Sequence, residues 1–467
     1  MKFPTTAKPP GVFLMVPYPA QGHVTPMLQL AAAMLRLGFR PVVVLPDFIH
    51  RKIAPKIDPN DGICCVSLPD GFDAADHAPP DFLAIEACME STMPAHFGRL
   101  IEKFLEEEEE DGRVIACVVV DLLASWAIEV ANQFPGVNVA GFWPAMLSTY
   151  RLIAAVPGMI SSGIISDNGS PLLQGLVTTA AGQPLVNTEE LPWLIGAPAA
   201  RISRFKFWSR TLDRSRSIRW LLVNSFPDEE SHNPKVENQN RHNIHLDLVV
   251  FPVGPLSLVG ASPTKKMTLW EEDASCLEWL DQQSVGSVVY ISFGSWVSPI
   301  GEGKIRTLAL ALEASRRPFL WVLGLSWREG LPAGYLERVS KLGKVVTWAP
   351  QMEILQHKAV GCYLTHCGWN STMEAVQCRK PLLCWPVAGD QFLNCAYIVK
   401  EWGIGVRLRG FGERELEEGL SRVMMDDGKM KETMSRMKER VMGKDAISSM
   451  RINLTDFIDN LHNLRQG

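Results

Sequence analysis

Short apolar runs alternate with amphipathic helical patterns along this chain, and this alternation restricts its fold more than any other feature. In the first half, the run at residues 11–18 precedes a helical pattern at 25–37, and further runs follow at 41–45, 114–120 and 138–142. Continuous apolar strands separated by helices are typical of parallel sheets that helices cover on both faces. The sequence therefore predicts an α/β, doubly wound fold.

The same rhythm restarts in the second half, where strands are expected at residues 287–293, 319–323, 344–348, 361–365 and 381–385. A chain of 467 residues is also too long for one ordinary core. We therefore expect two Rossmann-like domains facing across a cleft, with ligands at the carboxyl ends of both sheets. The predicted boundaries are residues 1–245 for the N-terminal domain, 246–440 for the C-terminal domain, and 441–467 for a final helix that packs back on the first domain.

Composition and charge argue against several functional classes. With 46 basic and 51 acidic residues the net charge is −5, so a nucleic-acid-binding surface is not expected. The chain contains no apolar stretch long enough to span a bilayer, and its N-terminus lacks the apolar segment of a secretory signal. We therefore predict a cytoplasmic, monomeric protein without membrane insertion.

The ten cysteines show no paired spacing of the kind that binds zinc, so reduced, buried thiols are expected. The nearest approach to a metal site is the group His357, Cys362, His366 and Cys367, which lacks a second paired half. The prediction is that the protein has no metal site.

One segment, residues 348–391, contains the parts needed to hold a base, a diphosphate and a sugar. Trp348 offers a flat face for stacking a uracil ring, and the Gln351 amide can read the edge of that ring. Glu374 can accept hydrogen bonds from two ribose hydroxyls. Taken singly, the tryptophan could be a core residue at a strand end and the glutamate a surface residue. Together they favour a nucleotide site.

A strand-to-helix turn at His366, Asn370 and Ser371 supplies the expected diphosphate site. The backbone N–H groups at a helix N-terminus favour an anion, and His366 adds a donor. Outside this context His366 would be read as a satisfied buried histidine. A similar turn, SFGS, ends at Ser295, which we expect to donate to the same phosphates.

Residues 348–391 resemble the signature box of plant secondary-product UDP-glycosyltransferases, a family-1 group of glycosyltransferases, and the whole chain follows that family's order. The resemblance implies a GT-B type fold, a UDP-sugar as co-substrate and no other cofactor. It also implies that Trp369, Asp390 and Gln391 face the sugar. In the family, tryptophan at the twenty-second position of the box and glutamine at the last accompany glucose; here these are Trp369 and Gln391, so UDP-glucose is the expected donor.

The catalytic base is expected in the first domain. His23 lies in the loop after the first strand, and Asp121 ends a second parallel strand, so both open on one sheet edge. A carboxylate bonded to Nδ1–H would fix the imidazole tautomer while Nε2 takes the acceptor proton. The family resemblance assigns these two positions the base and its orienting acid. The implied reaction is a single displacement on an α-linked donor that gives a β-glycoside. Because the chain has no Asp-x-Asp, we predict that no metal is required.

The acceptor is expected to be a small hydrophobic molecule such as a phenolic, a flavonoid or a terpenoid. The candidate acceptor-binding residues are Tyr18, Leu122, Trp143, Met146, Trp193 and Ala388. Ordinary core packing would also explain most of them. Two other functions stay open: the same scaffold could use another UDP-sugar or form a C-, N- or S-glycoside, or it could be a non-catalytic binder of small molecules.

The chain departs from the family's pattern at two places. Arg379-Lys380 stands where the family usually has Gly-Val before Pro381, and we expect an altered surface there with activity kept. The C-terminal SSMRINLTDF lacks the usual glycine pair ahead of its serines, which bears on how the last helix docks.

Overall fold

The computed structural model describes residues 11–58, 62–73, 80–111, 114–178, 183–226, 248–258, 269–295, 300–425 and 428–464. Its strands are β1 (Val12–Val16), β2 (Arg40–Pro46), β3 (Cys64–Leu68), β4 (Ile115–Asp121), β5 (Val139–Trp143), β6 (Leu176–Val177), β7 (Val186–Asn187), β8 (Trp220–Val223), β9 (Val249–Pro252), β10 (Val288–Ser292), β11 (Phe319–Val322), β12 (Gly343–Val346), β13 (Val360–Thr365), β14 (Leu382–Cys384) and β15 (Gly405–Arg407).

The helices are α1 (Gln21–Arg36), α2 (Asp47–Ile53), α3 (Phe82–Ser91), α4 (Met93–Asp111), α5 (Trp126–Ala131), α6 (Leu147–Ala154), α7 (Val156–Ser161), α8 (Pro198–Ser215), α9 (Ser275–Asp281), α10 (Glu302–Ser315), α11 (Tyr335–Arg338), α12 (Gln351–Gln356), α13 (Trp369–Cys378), α14 (Gln391–Ala396), α15 (Glu413–Met424), α16 (Lys429–Met442) and α17 (Lys444–Leu464).

The first sheet is parallel and has the strand order β3-β2-β1-β4-β5-β8-β9. Every residue of β1 and of β4 is buried, as expected for strands covered on both faces. β1 and β4 are neighbours, and Val16 at the end of β1 pairs with Val120. The loop after β1 and the residue that ends β4 therefore lie at the same sheet edge.

The second sheet is also parallel and has the order β12-β11-β10-β13-β14-β15. Its core packs α10 and α15 against the strands through fully buried side chains such as Leu308, Trp321 and Leu420. The central pair β10 and β13 ends in Ser292 and Thr365, which pair with each other. The turns that follow these two strands carry Ser295 and His366. The predicted α/β class with two doubly wound sheets is confirmed.

Contacts divide the described residues into two compact units. The first draws on residues 1–154, 206–269 and 445–467, and the second on 155–205 and 270–444. The predicted boundary at 245/246 lies outside the described residues, but residues 248–258 group with the first unit and not with the predicted second domain, because β9 pairs with β8 in the first sheet. Residues 155–205 group with the second unit, although the prediction placed them in the first.

The final helix, α17, packs on the first unit. Phe457 is buried and meets Trp220 and Phe251 edge to face, with ring centroids 6.3 and 5.6 Å away. The Asn453 side-chain amide donates to the carbonyl of Pro252 at 2.7 Å. Aromatic packing and one side-chain hydrogen bond therefore dock this helix without the glycine pair that the family usually has.

Arg379, the first departure from the family's pattern, ends α13 in the left-handed conformation with a φ of 54°. Glycine adopts this conformation without a steric penalty, whereas other residues do so at a cost of about 1 kcal/mol. We therefore expect Arg379→Gly to raise the free energy of unfolding by about 0.5–1 kcal/mol, measured by urea denaturation.

The matched control for that experiment is Arg306→Gly inside α10, where an interior glycine should instead lower the free energy of unfolding by about 1 kcal/mol. A loss of stability in Arg379→Gly would contradict the prediction. Lys380 should be left intact, because its ammonium group donates to the carbonyls of His357 and Val360 at 3.1 and 2.7 Å.

Candidate functional site

His23 and Asp121, predicted to act as a pair, are joined by a hydrogen bond in the first unit. His23 Nδ1 lies 2.7 Å from Asp121 Oδ2. The histidine is in the first turn of α1 and its side chain is 22% exposed, whereas the Asp121 side chain is fully buried at the end of β4. The buried carboxylate therefore fixes one ring nitrogen of His23 by a hydrogen bond, while the rest of the ring stays partly exposed to solvent.

The second carboxylate oxygen of Asp121 fixes the acid in place. Oδ1 accepts from the backbone N–H of Leu123 at 3.0 Å, at the start of a short 3₁₀ turn. The ring of Tyr18 packs edge-on against the His23 ring, with centroids 5.1 Å apart. The pair is thus oriented on both sides by groups that do not depend on a bound ligand.

In the second unit, Gln351 is the centre of a hydrogen-bond network. Its Oε1 accepts from the hydroxyls of Tyr290 and Tyr363 at 3.0 and 3.2 Å. Its Nε2 donates to Ser371 Oγ at 3.1 Å and to Glu374 Oε2 at 2.5 Å. An amide side chain has two acceptor and two donor positions, and all four are used.

The two tyrosines keep this network in one state. Burial raises the pKa of Tyr363 to about 12 and that of Tyr290 well above its usual value, so both hydroxyls stay protonated and donate. The predicted role of Gln351 in reading a base edge is therefore not what this geometry favours. Its side chain instead orients the Glu374 carboxylate.

His366 is buried between two glycines. A Cβ added to Gly294 would lie 2.6 Å from His366 Nε2, and one added to Gly368 would lie 2.4 Å from it. Gly294 also has a φ of 81°, in the region that favours glycine. The turns after β10 and β13 therefore close on the imidazole from both sides.

The protonation state of His366 follows from its surroundings. Burial lowers its pKa to about 4, and a hydrogen bond to the Ser292 backbone only partly offsets this effect. Nδ1 is buried and has no partner among the described residues, so Nε2–H makes the bond to Ser292. At neutral pH the ring is uncharged and its Nδ1 carries a lone pair.

α13 begins directly after this turn. Cys367 has a φ of 67°, and its backbone N–H donates to Thr365 Oγ1 at 3.1 Å. Gly368 is the N-cap of α13 and provides no side-chain cap. The first turn, which contains Asn370 and Ser371, is therefore a helix N-terminus of the kind that binds anions.

Trp369 differs from the prediction. Its side chain is only 4% exposed, and its ring centroid lies 6.4 Å from that of Trp402. This packing anchors the start of α13, and the contact of Trp369 with a sugar stays a prediction.

Asp390 is the N-cap of α14 and Gln391 its first residue, and the side chains of both help to fix this helix start. Gln391 Oε1 accepts from the backbone N–H groups of Val387 and Ala388, both at 2.9 Å. Asn394 Nδ2 donates to Asp390 Oδ2 at 2.8 Å and to the carbonyl of Cys367 at 3.0 Å. Asn394 therefore connects the Asp390 turn to the turn that carries His366.

Trp348 lies at the start of the same segment and is half-buried. Its ring centroid is 5.9 Å from that of Trp270, at an interplanar angle of 39°. Ser295 is also half-buried and directly follows Gly294. The predicted donor-site residues thus all belong to the second unit.

The six candidate acceptor residues divide between the two units, and the half-buried Ala388 belongs to the second, where its backbone N–H donates to Gln391 Oε1. Tyr18, Leu122, Trp143 and Met146 belong to the first unit and are buried; the Trp143 indole N–H donates to the Met146 carbonyl at 2.9 Å. Trp193 belongs to the second unit and is fully buried, with its indole N–H bonded to the Gly169 carbonyl at 2.7 Å. Packing within residues 155–205 therefore accounts for Trp193, and the geometry does not support its acceptor role.

Sequence reasoning missed Tyr290, Tyr363 and Asn394. The tyrosines lie inside apolar strands, where a buried hydroxyl needs a hydrogen-bond partner. This requirement could have indicated that each tyrosine bonds to a polar side chain nearby. Asn394 gave no signal, because its two partners come from separate turns.

Comparison with known proteins identifies the family. The family model described as "UDP-glucoronosyl and UDP-glucosyl transferase" matches residues 267–443. UDP-glycosyltransferase 82A1 of Arabidopsis thaliana is 51% identical, over 97% of this chain and 99% of the relative. Flavonol 3-O-glucosyltransferase UGT76E12 of the same plant is 31% identical, over 89% of this chain and 88% of the relative.

Comparison with solved structures agrees with the family found from the sequence. The crystal structure of Medicago truncatula UGT71G1 complexed with UDP-glucose has a TM-score of 0.78 and 25% identity, over 97% of this chain and 98% of that one. No helix in the described part of the chain is long and apolar enough to cross a membrane. With these matches over nearly its full length, the chain belongs to the UDP-glycosyltransferase family and is a glycosyltransferase.

Proposed function

We propose that this enzyme transfers glucose from UDP-glucose to a hydroxyl of a small hydrophobic acceptor, such as a phenolic, a flavonoid or a terpenoid, with inversion to a β-glucoside. The observation that carries this proposal is the 2.7 Å bond between His23 Nδ1 and Asp121. A carboxylate on Nδ1 keeps the proton on that nitrogen, so Nε2 is free to accept one. A binder without catalysis would have no need for this arrangement.

The second unit is proposed to hold the donor. Trp348 stacks on uracil, and Glu374, held by Gln351, accepts from the ribose hydroxyls. The N-terminus of α13 with Ser371 and Asn370, together with Ser295 and His366, holds the diphosphate. Asp390 and Gln391 hold the sugar. Gln391 is suited to this because its oxygen is engaged by the backbone, which leaves its two amide N–H groups to donate.

The proposed mechanism uses these groups in one step. His23 Nε2 takes the acceptor proton while the acceptor oxygen attacks the anomeric carbon from the face opposite UDP. Asp121 stabilises the imidazolium that forms. Negative charge that develops on the leaving diphosphate meets the helix N-terminus and the hydroxyls around it. Because these groups are aimed at the charge in advance, we propose that the enzyme needs no metal ion.

Glucose is the proposed sugar because the relative named above is a flavonol 3-O-glucosyltransferase and the neighbouring structure holds UDP-glucose. The test is a screen of purified protein with UDP-glucose against phenolics, flavonoids and terpenoids, read by mass. We expect products heavier by one hexose, formed equally well in excess EDTA. Transfer from another UDP-sugar only, products linked through carbon, nitrogen or sulfur, or activity that EDTA abolishes would each contradict a part of the proposal.

Binding of UDP should be linked to proton uptake at His366. The free enzyme has a neutral ring with a pKa of about 4, and a diphosphate facing Nδ1 would raise that pKa. Between the two pKa values the complex holds more protons than the free enzyme. The His366 contribution to UDP affinity therefore increases as pH falls through the higher value and levels off near pH 4.

Calorimetry of UDP binding near pH 6, in two buffers of different ionisation enthalpy, measures this uptake. The β-phosphate of UDP also titrates, so the comparison is with His366→Asn, which keeps a polar atom near the Nδ1 position. We expect the wild-type enzyme to take up a larger fraction of a proton than the variant. Equal uptake by the two proteins would show that His366 does not face the diphosphate.

A further inference from the structure

Three buried cysteines that the proposed reaction does not use lie together in the second unit. The Sγ atoms of Cys367, Cys384 and Cys395 all lie within 4.8 Å of one another. All three are free thiols, and none is more than 1% exposed. They come from the turn before α13, the end of β14 and the last turn of α14, so no spacing in the sequence could reveal them.

The geometry suits a metal ion better than a disulfide. Around a tetrahedral ion with metal–sulfur bonds of about 2.3 Å, the sulfurs are about 3.8 Å apart, so small side-chain shifts would bring the three thiols to that spacing. A disulfide needs a sulfur–sulfur distance of about 2.05 Å and would leave the third thiol outside. Thiolates favour soft ions such as Zn²⁺, Cd²⁺ and Cu⁺.

Asn394 adds an independent observation. It is fully buried, and its Nδ2 donates to the carbonyl of Cys367 at 3.0 Å, which places the amide beside the cluster. Its Oδ1 is buried and has no hydrogen-bond partner among the described residues. A buried acceptor without a partner costs about 1–3 kcal/mol, and a nearby cation would remove that cost.

We propose that Cys367, Cys384 and Cys395 form a binding site for one soft metal ion, with Asn394 Oδ1, unpartnered among the described residues, as a candidate oxygen ligand. On binding, each thiol loses its proton to solvent and becomes a thiolate ligand. The site is separate from the diphosphate site but shares a turn with it, since Cys367 lies between His366 and Gly368.

Because the proposed metal site and the proposed diphosphate site share one turn, metal binding should affect UDP binding. A shift of the Cys367 sulfur toward Cys384 and Cys395 acts on a backbone already held at a φ of 67°, directly beside His366. The His366 ring packs against Gly294 and Gly368, where an added Cβ would lie within 2.6 Å of its Nε2. Occupancy by the metal should therefore distort the proposed diphosphate site and weaken UDP binding. This second part rests on the proposed function, whereas the metal site does not.

The test is a titration of reduced, full-length protein with Cd²⁺ in the absence of oxygen, followed by the thiolate-to-cadmium charge-transfer absorbance. We expect saturation at one equivalent. Cys395→Ser should weaken Cd²⁺ binding by at least about tenfold. The matched control, Cys362→Ser, removes another fully buried thiol of the same sheet, outside the cluster, and should bind like wild type.

No saturable band in the wild-type protein, equal affinity in Cys395→Ser, or equal loss in Cys362→Ser would overturn the metal site. If Cys395→Ser does not fold, X-ray absorption of the zinc-loaded wild-type protein shows whether the metal is bound by the three sulfurs. Three sulfurs at about 2.3 Å are expected, and a shell of nitrogen and oxygen only would overturn the proposal.

The coupling is tested by UDP calorimetry with and without one equivalent of Cd²⁺. UDP affinity should fall several-fold in the wild-type protein and stay the same in Cys395→Ser. A full charge-transfer band with unchanged UDP affinity would overturn the coupling. Absence of UDP binding in the metal-free protein would count against the proposed function instead, while the Cd²⁺ band would still appear.

Discussion

His23→Ala is expected to lower kcat for glucosyl transfer by about 10³-fold, because the acceptor hydroxyl then lacks a base when it attacks. This loss corresponds to about 4 kcal/mol of transition-state stabilisation. UDP affinity should not change, because the proposed UDP-binding residues all lie in the second unit. Steady-state transfer to an acceptor found in the screen gives the first quantity, and calorimetry with UDP gives the second.

The control for that variant is His96→Ala, which removes a histidine of the same unit that contacts Arg99 and not Asp121. Its kcat should match wild type. If His23→Ala kept full transfer to a hydroxyl acceptor, the assignment of the base would be wrong. If it lost UDP affinity to the same extent as rate, His23 would belong to the donor site.

Asp121→Asn is expected to lower kcat by about 10²–10³-fold while leaving the fold intact. The asparagine can keep the bond from the Leu123 N–H through its oxygen, so its NH₂ group turns toward His23 Nδ1. That group donates, which forces the ring proton onto Nε2, the nitrogen that must accept. The variant therefore has the histidine in the wrong tautomer.

Asp70→Asn provides the matched control. Asp70 is also a buried aspartate of the first unit, and its carboxylate accepts from the backbone of Phe48 and Phe72 at 2.8 and 2.9 Å. Its replacement should lower stability and leave the kcat of the folded fraction unchanged. Equal loss of kcat in the two variants would mean that Asp121 acts through stability alone. A comparable loss of UDP affinity in Asp121→Asn would also count against its assigned role.

The His23–Asp121 pair could be predicted, because the topology of a doubly wound sheet brings both strand ends to one edge and the family resemblance assigns these positions the base and its orienting acid. Each residue follows a wholly apolar run, and parallel strands end at one sheet edge. The pairing of β1 with β4 then brings the two side chains together. Strand bounds differ from the prediction by one or two residues, while β3, β8 and β15 were not predicted.

The inner contacts of the donor segment could not be predicted, because they join residues from several elements. Gln351 is saturated by two tyrosines, a serine and a glutamate from three separate elements. Trp369 and Trp193 are buried by neighbours that are distant in sequence. Residue type showed what each side chain could do, but only the fold shows which partners already occupy it.

The domain boundary failed for a related reason. Irregular, glycine- and proline-rich sequence between residues 159 and 203 indicates a long excursion, but it does not show which core the excursion packs on. The three-cysteine cluster was missed in the same way, because ligands from a turn, a strand and a helix leave no spacing pattern.

The most direct test of the central claim is the anomeric configuration of the first product, read by proton NMR during transfer from UDP-glucose. A single displacement with His23 as the base turns the α-linked donor into a β-glucoside, and this is the expected product. An α-glucoside would require two displacements or attack from the same face as UDP, and would contradict the account.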